Sequence, residues 1–205
     1  MPGAASPSNG IPTALAPRIA QRRHKPRRRQ RPRRGFTLLE LIVALGIAGM
    51  LLTMGVPAWG KWIAERELRD RAEALQDTLD RARSEAIKRA ARVDVCPLAG
   101  AACAGAAAPW ENGWMMFVDA NRSGDRDAGE PLIARERAAA EGITIRGNRP
   151  VADYVSYTST GQLRRIDGAL QMGTFTVCRP GRNARKVVLA NSGRVRIVDT
   201  SEICP

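Results

Sequence analysis

The sequence predicts an α+β fold, with a long N-terminal helix packed on a small antiparallel β-sheet domain. Three observations predict it. Residues 41–59 are apolar and uncharged. Residues 60–91 are highly charged but carry an apolar stripe at helical spacing. From residue 92 onward, short β-type runs alternate with turn-forming residues. The chain then divides into a basic head (1–35), a transmembrane helix (36–59), an amphipathic helix (60–91) and a β-rich domain (92–205).

The head comes first. The 205 residues carry 33 Lys and Arg against 20 Asp and Glu, a formal charge of +13. Taken whole, this suggests a nucleic-acid binder. The charge is uneven, however: ten of the basic residues and none of the acids lie in 1–35, nine of the ten between Arg22 and Arg34. The remaining chain is nearly balanced. Rich in Pro, Arg, Ser and Gly, the head has too few apolar residues to build a core and reads as disordered.

Residues 41–59, at 1.5 Å rise each, span about 28 Å, close to the hydrocarbon thickness of a bilayer. The positive head keeps the N-terminus cytoplasmic and sends the rest across. Gly46, Gly49, Gly55 and Pro57 favour a kink in this helix. In the next segment Leu68, Ala72, Leu75, Leu79, Ala82 and Ala86 form one stripe, which a sheet would cover. Glu65–Arg69, Glu67–Arg71, Asp77–Arg81 and Glu85–Arg89 have the spacing of intrahelical ion pairs.

Strands are expected at 93–95, 114–118, 131–135, 142–146, 154–158, 174–178, 185–190 and 194–198, with a loop over 99–108. Asn191-Ser192-Gly193 joins the last two as a hairpin. The cysteines Cys96, Cys103, Cys178 and Cys204 lack C-x-x-C spacing and fit two disulfides in an oxidising compartment. Three pairings are open; the local one, Cys96–Cys103 and Cys178–Cys204, is favoured. Enzymatic chemistry is poorly provided for. The only histidine, His24, is in the head, and no phosphate-loop, dinucleotide or H-E-x-x-H pattern occurs.

Two stretches offer binding chemistry. Asp119, Asn121, Ser123, Asp127 and Glu130, with Gly124 between them, approximate an EF-hand calcium loop. Strand-like flanks and the charges of Arg122 and Arg126 favour a polar turn instead, so no cofactor is expected. Between Asp167 and Asp199 no acid occurs, while Arg179, Arg182, Arg185, Lys186, Arg194 and Arg196 do. In a strand, Arg194 and Arg196 share a face and suit contacts to successive phosphates.

The junction Arg33-Arg34-Gly35-Phe36-Thr37-Leu38-Leu39-Glu40 is physically odd, because it puts a carboxylate into an apolar segment. A free amine on Phe36, made by a cut after Gly35, would give Glu40 a cation to meet. These residues resemble the prepilin peptidase signature of type IV pilins and type II secretion pseudopilins. The resemblance implies cleavage between Gly35 and Phe36, methylation of Phe36, filament docking through Glu40 and a helix kink at Pro57. A secretory signal would need a small-residue cleavage site after the apolar run, and 55–59 is a poor one. The junction also fits a loose twin-arginine pattern, against which Glu40 and the amphipathic continuation argue. Family leaders are usually short, so this 35-residue head is an extension or follows from a start assigned too far upstream. Its charge reads as a topology signal removed with the leader.

Leu79–Lys88, Val93–Pro97, Gly113–Asn121, Gly129–Pro131 and Ser192–Arg196 resemble the FimT/GspH group of minor pilins and minor pseudopilins. That implies a low-copy filament subunit without enzymatic activity or a small-molecule substrate. Its partners would be other pilins, the prepilin peptidase and the bacterial inner membrane. The chain would cross that membrane once, with its C-terminal domain periplasmic before filament assembly. Two functions follow, in a type IV pilus or in type II protein secretion. Gly193-Arg194-Val195-Arg196 also resembles a G-R-x-R motif associated with DNA binding in FimT-type minor pilins.

Overall fold

The computed structural model describes residues 35–105 and 109–205, with side chains for all of these except 54–58. The head expected to be a disordered leader lies outside the described residues apart from Gly35, and so does the side chain of Pro57. The chain divides into two compact units at Gly46/Ile47.

Helix α1 runs Leu38–Arg89. The described part of the first unit, 35–46, holds its start. Thr37 Oγ1 accepts the Glu40 N–H at 3.2 Å, an N-cap that satisfies one of the first orphan donors. The apolar side chains here are bare, with Phe36 83 % exposed. Among the described residues no helix is long and apolar enough to cross a membrane. The apolar run 41–59 includes positions 54–58, whose side chains are not described.

In the second unit the apolar stripe is fully buried: Leu68, Ala72, Leu75, Leu79, Ala82 and Ala86 all have no exposed surface. The expected ion pairs behave differently. Glu85–Arg89 forms within the helix at 2.8 Å, but Arg69 turns to Glu73 at 2.7 Å. Glu65 and Glu67 leave the helix for Arg185 and Arg179, and Arg71 reaches Glu136. Partners beyond the helix are within reach because the sheets lie against it, a fact that helical spacing does not contain. The helix ends in Ala90 at φ 50°, a left-handed cap usually given to glycine, with Ala91 N–H donating back to Ala86 C=O.

Nine strands follow: β1 (Val93–Ala99), β2 (Ala102–Cys103), β3 (Trp114–Val118), β4 (Leu132–Glu136), β5 (Thr144–Gly147), β6 (Val155–Tyr157), β7 (Gly173–Cys178), β8 (Asn183–Leu189) and β9 (Val195–Ile203). They make two antiparallel sheets. In one, β1 lies between β3, which continues to β4, and the short partners β2 and β6; the other runs β5-β7-β8-β9. The expected loop over 99–108 therefore contains a two-residue strand. The last strand runs past the expected end at Val198 to Ile203.

The stripe of α1 and the inner faces of both sheets share one core, which includes Val93, Val95, Trp110, Trp114, Tyr157, Phe175 and Val187. Trp114 indole N–H donates to Thr78 Oγ1 at 3.0 Å, and the Arg71 guanidinium stands 4.1 Å above its ring. A smaller cluster of Cys96, Leu98, Met115, Phe117 and Tyr154 covers the other face of the first sheet. Disulfides join Cys96 to Cys103 and Cys178 to Cys204. The first clips the β1–β2 hairpin, and the second ties the end of β9 to the end of β7.

Candidate functional site

Three places hold the residues singled out from the sequence. At the N-terminus, Gly35, Phe36 and Glu40 are exposed, and nothing stands within 4 Å of a side chain added at Gly35. Among the described residues nothing covers this bond, which lies just before a capped helix where a peptidase could reach it. Glu40 lies in the first turn, where a carboxylate also favours the helix dipole.

The acidic loop joins β3 to β4 and is held by its own hydrogen bonds. Asp119, 1 % exposed, accepts the N–H groups of Ser123 and Gly124 at 3.1 and 3.2 Å. Glu130 accepts those of Ala120 and Asp127 at 2.8 and 3.0 Å. Asn121 and Ser123 both donate to Asp127 Oδ2. These oxygens thus hold the turn through its own backbone N–H groups. Among the described residues no three His, Cys, Asp or Glu side chains stand where they could hold a metal ion.

The basic stretch is acid-free in sequence but not in space. Arg179 pairs with Glu67, Arg185 with Glu65 at 3.0 Å and also with Asp199, and Lys186 with Glu202 at 2.7 Å. Arg182, half-buried, sits in the turn before β8, where its C=O accepts the Cys204 N–H at 2.8 Å. Only Arg194 and Arg196 are both exposed and without an ion-pair partner among the described residues. Val195 and Ile197 pack on the core, so the alternating arginines project from the outer face of the sheet, about 7 Å apart along the strand.

Sequence reasoning missed how this hairpin is mounted. Gly193 is buried at φ 83°, and a Cβ there would run into the Gly161 C=O and the Arg83 side chain. Arg83 Nε donates to that same Gly161 carbonyl at 3.1 Å, and Leu163 N–H donates to Asn191 C=O at 3.0 Å. Two glycines thus let the β8–β9 turn and the loop at 158–162 stack on α1, directly behind Arg194. The signal available was Gly193 itself, read as a turn residue and as the start of the G-R-x-R segment but not as a packing contact.

A buried acid was also missed. Asp94, in β1, is fully buried; its Oδ1 accepts the Ser156 hydroxyl, its Oδ2 has no partner, and Asp119 lies beside it. Burial above all, then the neighbouring Asp119, pushes its carboxyl well above the usual range, against the pull of Ser156 and Arg92.

A helix with a bare, capped apolar start and a buried amphipathic continuation, docked on two small antiparallel sheets, defines a pilin-like filament subunit. The Prokaryotic N-terminal methylation motif matches residues 30–56. Within that class, the chain belongs to the Type II transport protein GspH family, whose model matches residues 71–193, more than half of its length. The Pilin-like protein PilA1 of Thermus thermophilus is 30% identical over 165 residues, covering 80% of this chain and 98% of that protein. Among solved structures, the type IV minor pilin FimU of Pseudomonas aeruginosa shares the fold at a TM-score of 0.50. It is 19% identical and covers 70% of this chain and 96% of that one. The minor pseudopilin EpsH from the Type 2 Secretion System of Vibrio cholerae aligns at a TM-score of 0.46 and 13% identity, over 66% of this chain and 99% of that one. The protein is therefore a minor pilin or pseudopilin, a membrane-anchored structural subunit that assembles with other pilins in a filament.

Proposed function

We propose that the chain is a minor type IV pilin that contacts DNA during uptake through Arg194 and Arg196, and that it catalyses no reaction. It is made in the inner membrane with its head cytoplasmic and its sheets periplasmic. The prepilin peptidase cuts between Gly35 and Phe36 and methylates Phe36, and Glu40 then aligns the subunit with its neighbours.

One observation carries the DNA reading. Of the six basic residues in the acid-free stretch, only the two of the G-R-x-R segment are both exposed and without an acidic partner among the described residues. Two phosphate contacts give weak binding, indifferent to base sequence, with log K falling about 1.8 per decade of salt. The test compares DNA retention across a salt series, and transformation, in wild type and Arg194→Ala/Arg196→Ala. The reading expects retention and transformation to fall together and the salt slope to vanish; unchanged binding in the variant rejects it.

The second reading is a minor pseudopilin of type II secretion, favoured by the GspH family match over 71–193. There the β-domain meets other pseudopilins or cargo, and the arginine pair is incidental. Deleting the gene separates the two: the first reading expects loss of DNA uptake with secretion intact, and the second expects the reverse.

A further inference from the structure

The four tryptophans divide sharply. Trp110 and Trp114 are fully buried in the core, while Trp59 and Trp62 are 68 % and 58 % exposed on α1. Three residues apart, the exposed pair shares one helix face, about 4.5 Å apart along the axis, and the rings meet edge-on at 6.4 Å. Ile63, four residues from Trp59, extends the same bare ridge. Two large indoles left uncovered on a charged helix call for an occupant.

The neighbouring charges say which kind. Glu65 and Glu67 are taken up by Arg185 and Arg179, and Arg69 by Glu73. Lys61 is exposed, Arg66 lies 5.4 Å above the Trp62 ring, and among the described residues neither has an ion-pair partner. Asp70, exposed, follows one turn further on. The ridge thus presents aromatic rings beside the Arg66 cation, with Lys61 on the opposite side of the same helical turn, directly after the apolar run. Amphipathic rings with adjacent positive charge suit the headgroup layer of an anionic bilayer, where the ring lies among glycerol and upper acyl groups and the cation meets phosphate.

We infer that Trp59 and Trp62, with Lys61 and Arg66, form an interfacial collar that seats the helix in the outer leaflet of an anionic membrane. The collar fixes insertion depth. The first fully buried stripe residue, Leu68, comes six positions after Trp62, about 9 Å along the axis, so the sheet domain begins immediately above the headgroups. This inference rests on the membrane anchoring of the helix and adds the residues that set its depth.

The test uses the mature chain in vesicles of phosphatidylethanolamine and phosphatidylglycerol, brominated either near the headgroup or near the chain end, with tryptophan emission as readout. Trp110 and Trp114 supply an unquenched internal reference. The expected result is flotation with the vesicles, loss of the Trp59 and Trp62 emission to shallow bromine, and abolition of that quenching in Trp59→Phe/Trp62→Phe, whose thermal unfolding matches wild type. Lys61→Gln/Arg66→Gln should weaken the shallow quenching. Flotation with quenching only by deep bromine, or none, overturns the collar and leaves membrane anchoring intact. Unquenched indoles whose emission shifts to the blue as the protein-to-lipid ratio rises also overturn it, because a second copy then covers the ridge. Absence of flotation overturns the collar and the anchoring together.

Discussion

Asp94 shows how one residue can defeat sequence reasoning. Between Val93 and Val95, alternation puts its side chain on the face away from the main core, a place normally left to water. That face is covered here by Tyr154, Phe117 and Met115, which come from distant parts of the chain. The carboxyl keeps its proton to a higher pH in the folded state than in the unfolded one. Its contribution to stability is therefore complete below the ordinary carboxylate range and is lost as pH rises through the raised value. Asp94→Asn keeps an acceptor for Ser156 and removes the titration. Melting temperatures measured across acid to neutral pH should show the variant gaining on wild type as pH rises; a constant difference would contradict this. The arginines tell a similar story. Their number was legible, but which were free depended on Glu65, Glu67 and Glu202, and strand spacing does not bring those acids near.

At the scale of elements, much of the second unit was readable. The stripe of α1 and the hairpin at 191–193 needed only local periodicity and turn chemistry. The stripe makes a direct prediction: Leu75→Ala, truncating a side chain with no exposed surface, should cost about 2–5 kcal/mol in urea unfolding. Gly193→Ala adds a Cβ against the Gly161 carbonyl at a positive φ and should cost roughly 2 kcal/mol or more. A cost near zero would show that the hairpin is not clamped to α1 as described. Ala90→Gly should go the other way. Relief of the left-handed alanine, less the extra entropy of an unfolded glycine, is worth roughly 0.5 kcal/mol. The end of β9 was not legible because Asp199, Thr200, Ser201 and Glu202 read as a polar tail. Pairing with β8 through a register shift near Asn183 and the Cys178–Cys204 link hold that tail in the sheet.

For the whole molecule, the net charge of +13 proved to be a statement about position. Most of it belongs to residues 1–35, and in the rest of the chain the ion pairs Arg71–Glu136, Arg179–Glu67 and Arg185–Glu65 join the helix to the sheet domain. The proposed processing and docking of the subunit are concentrated at one bond, Gly35–Phe36, followed by Glu40 and the bare apolar start of α1, within the N-terminal methylation motif matched over residues 30–56. The same junction was the clearest functional signal in the sequence, because it needs only a contiguous run of residues. The measurement that tests the account most directly is mass spectrometry of the N-terminal peptide from membrane-extracted protein of its native host. The account predicts a chain beginning at N-methylated Phe36. A mature protein that retains an intact Gly35–Phe36 bond would contradict it.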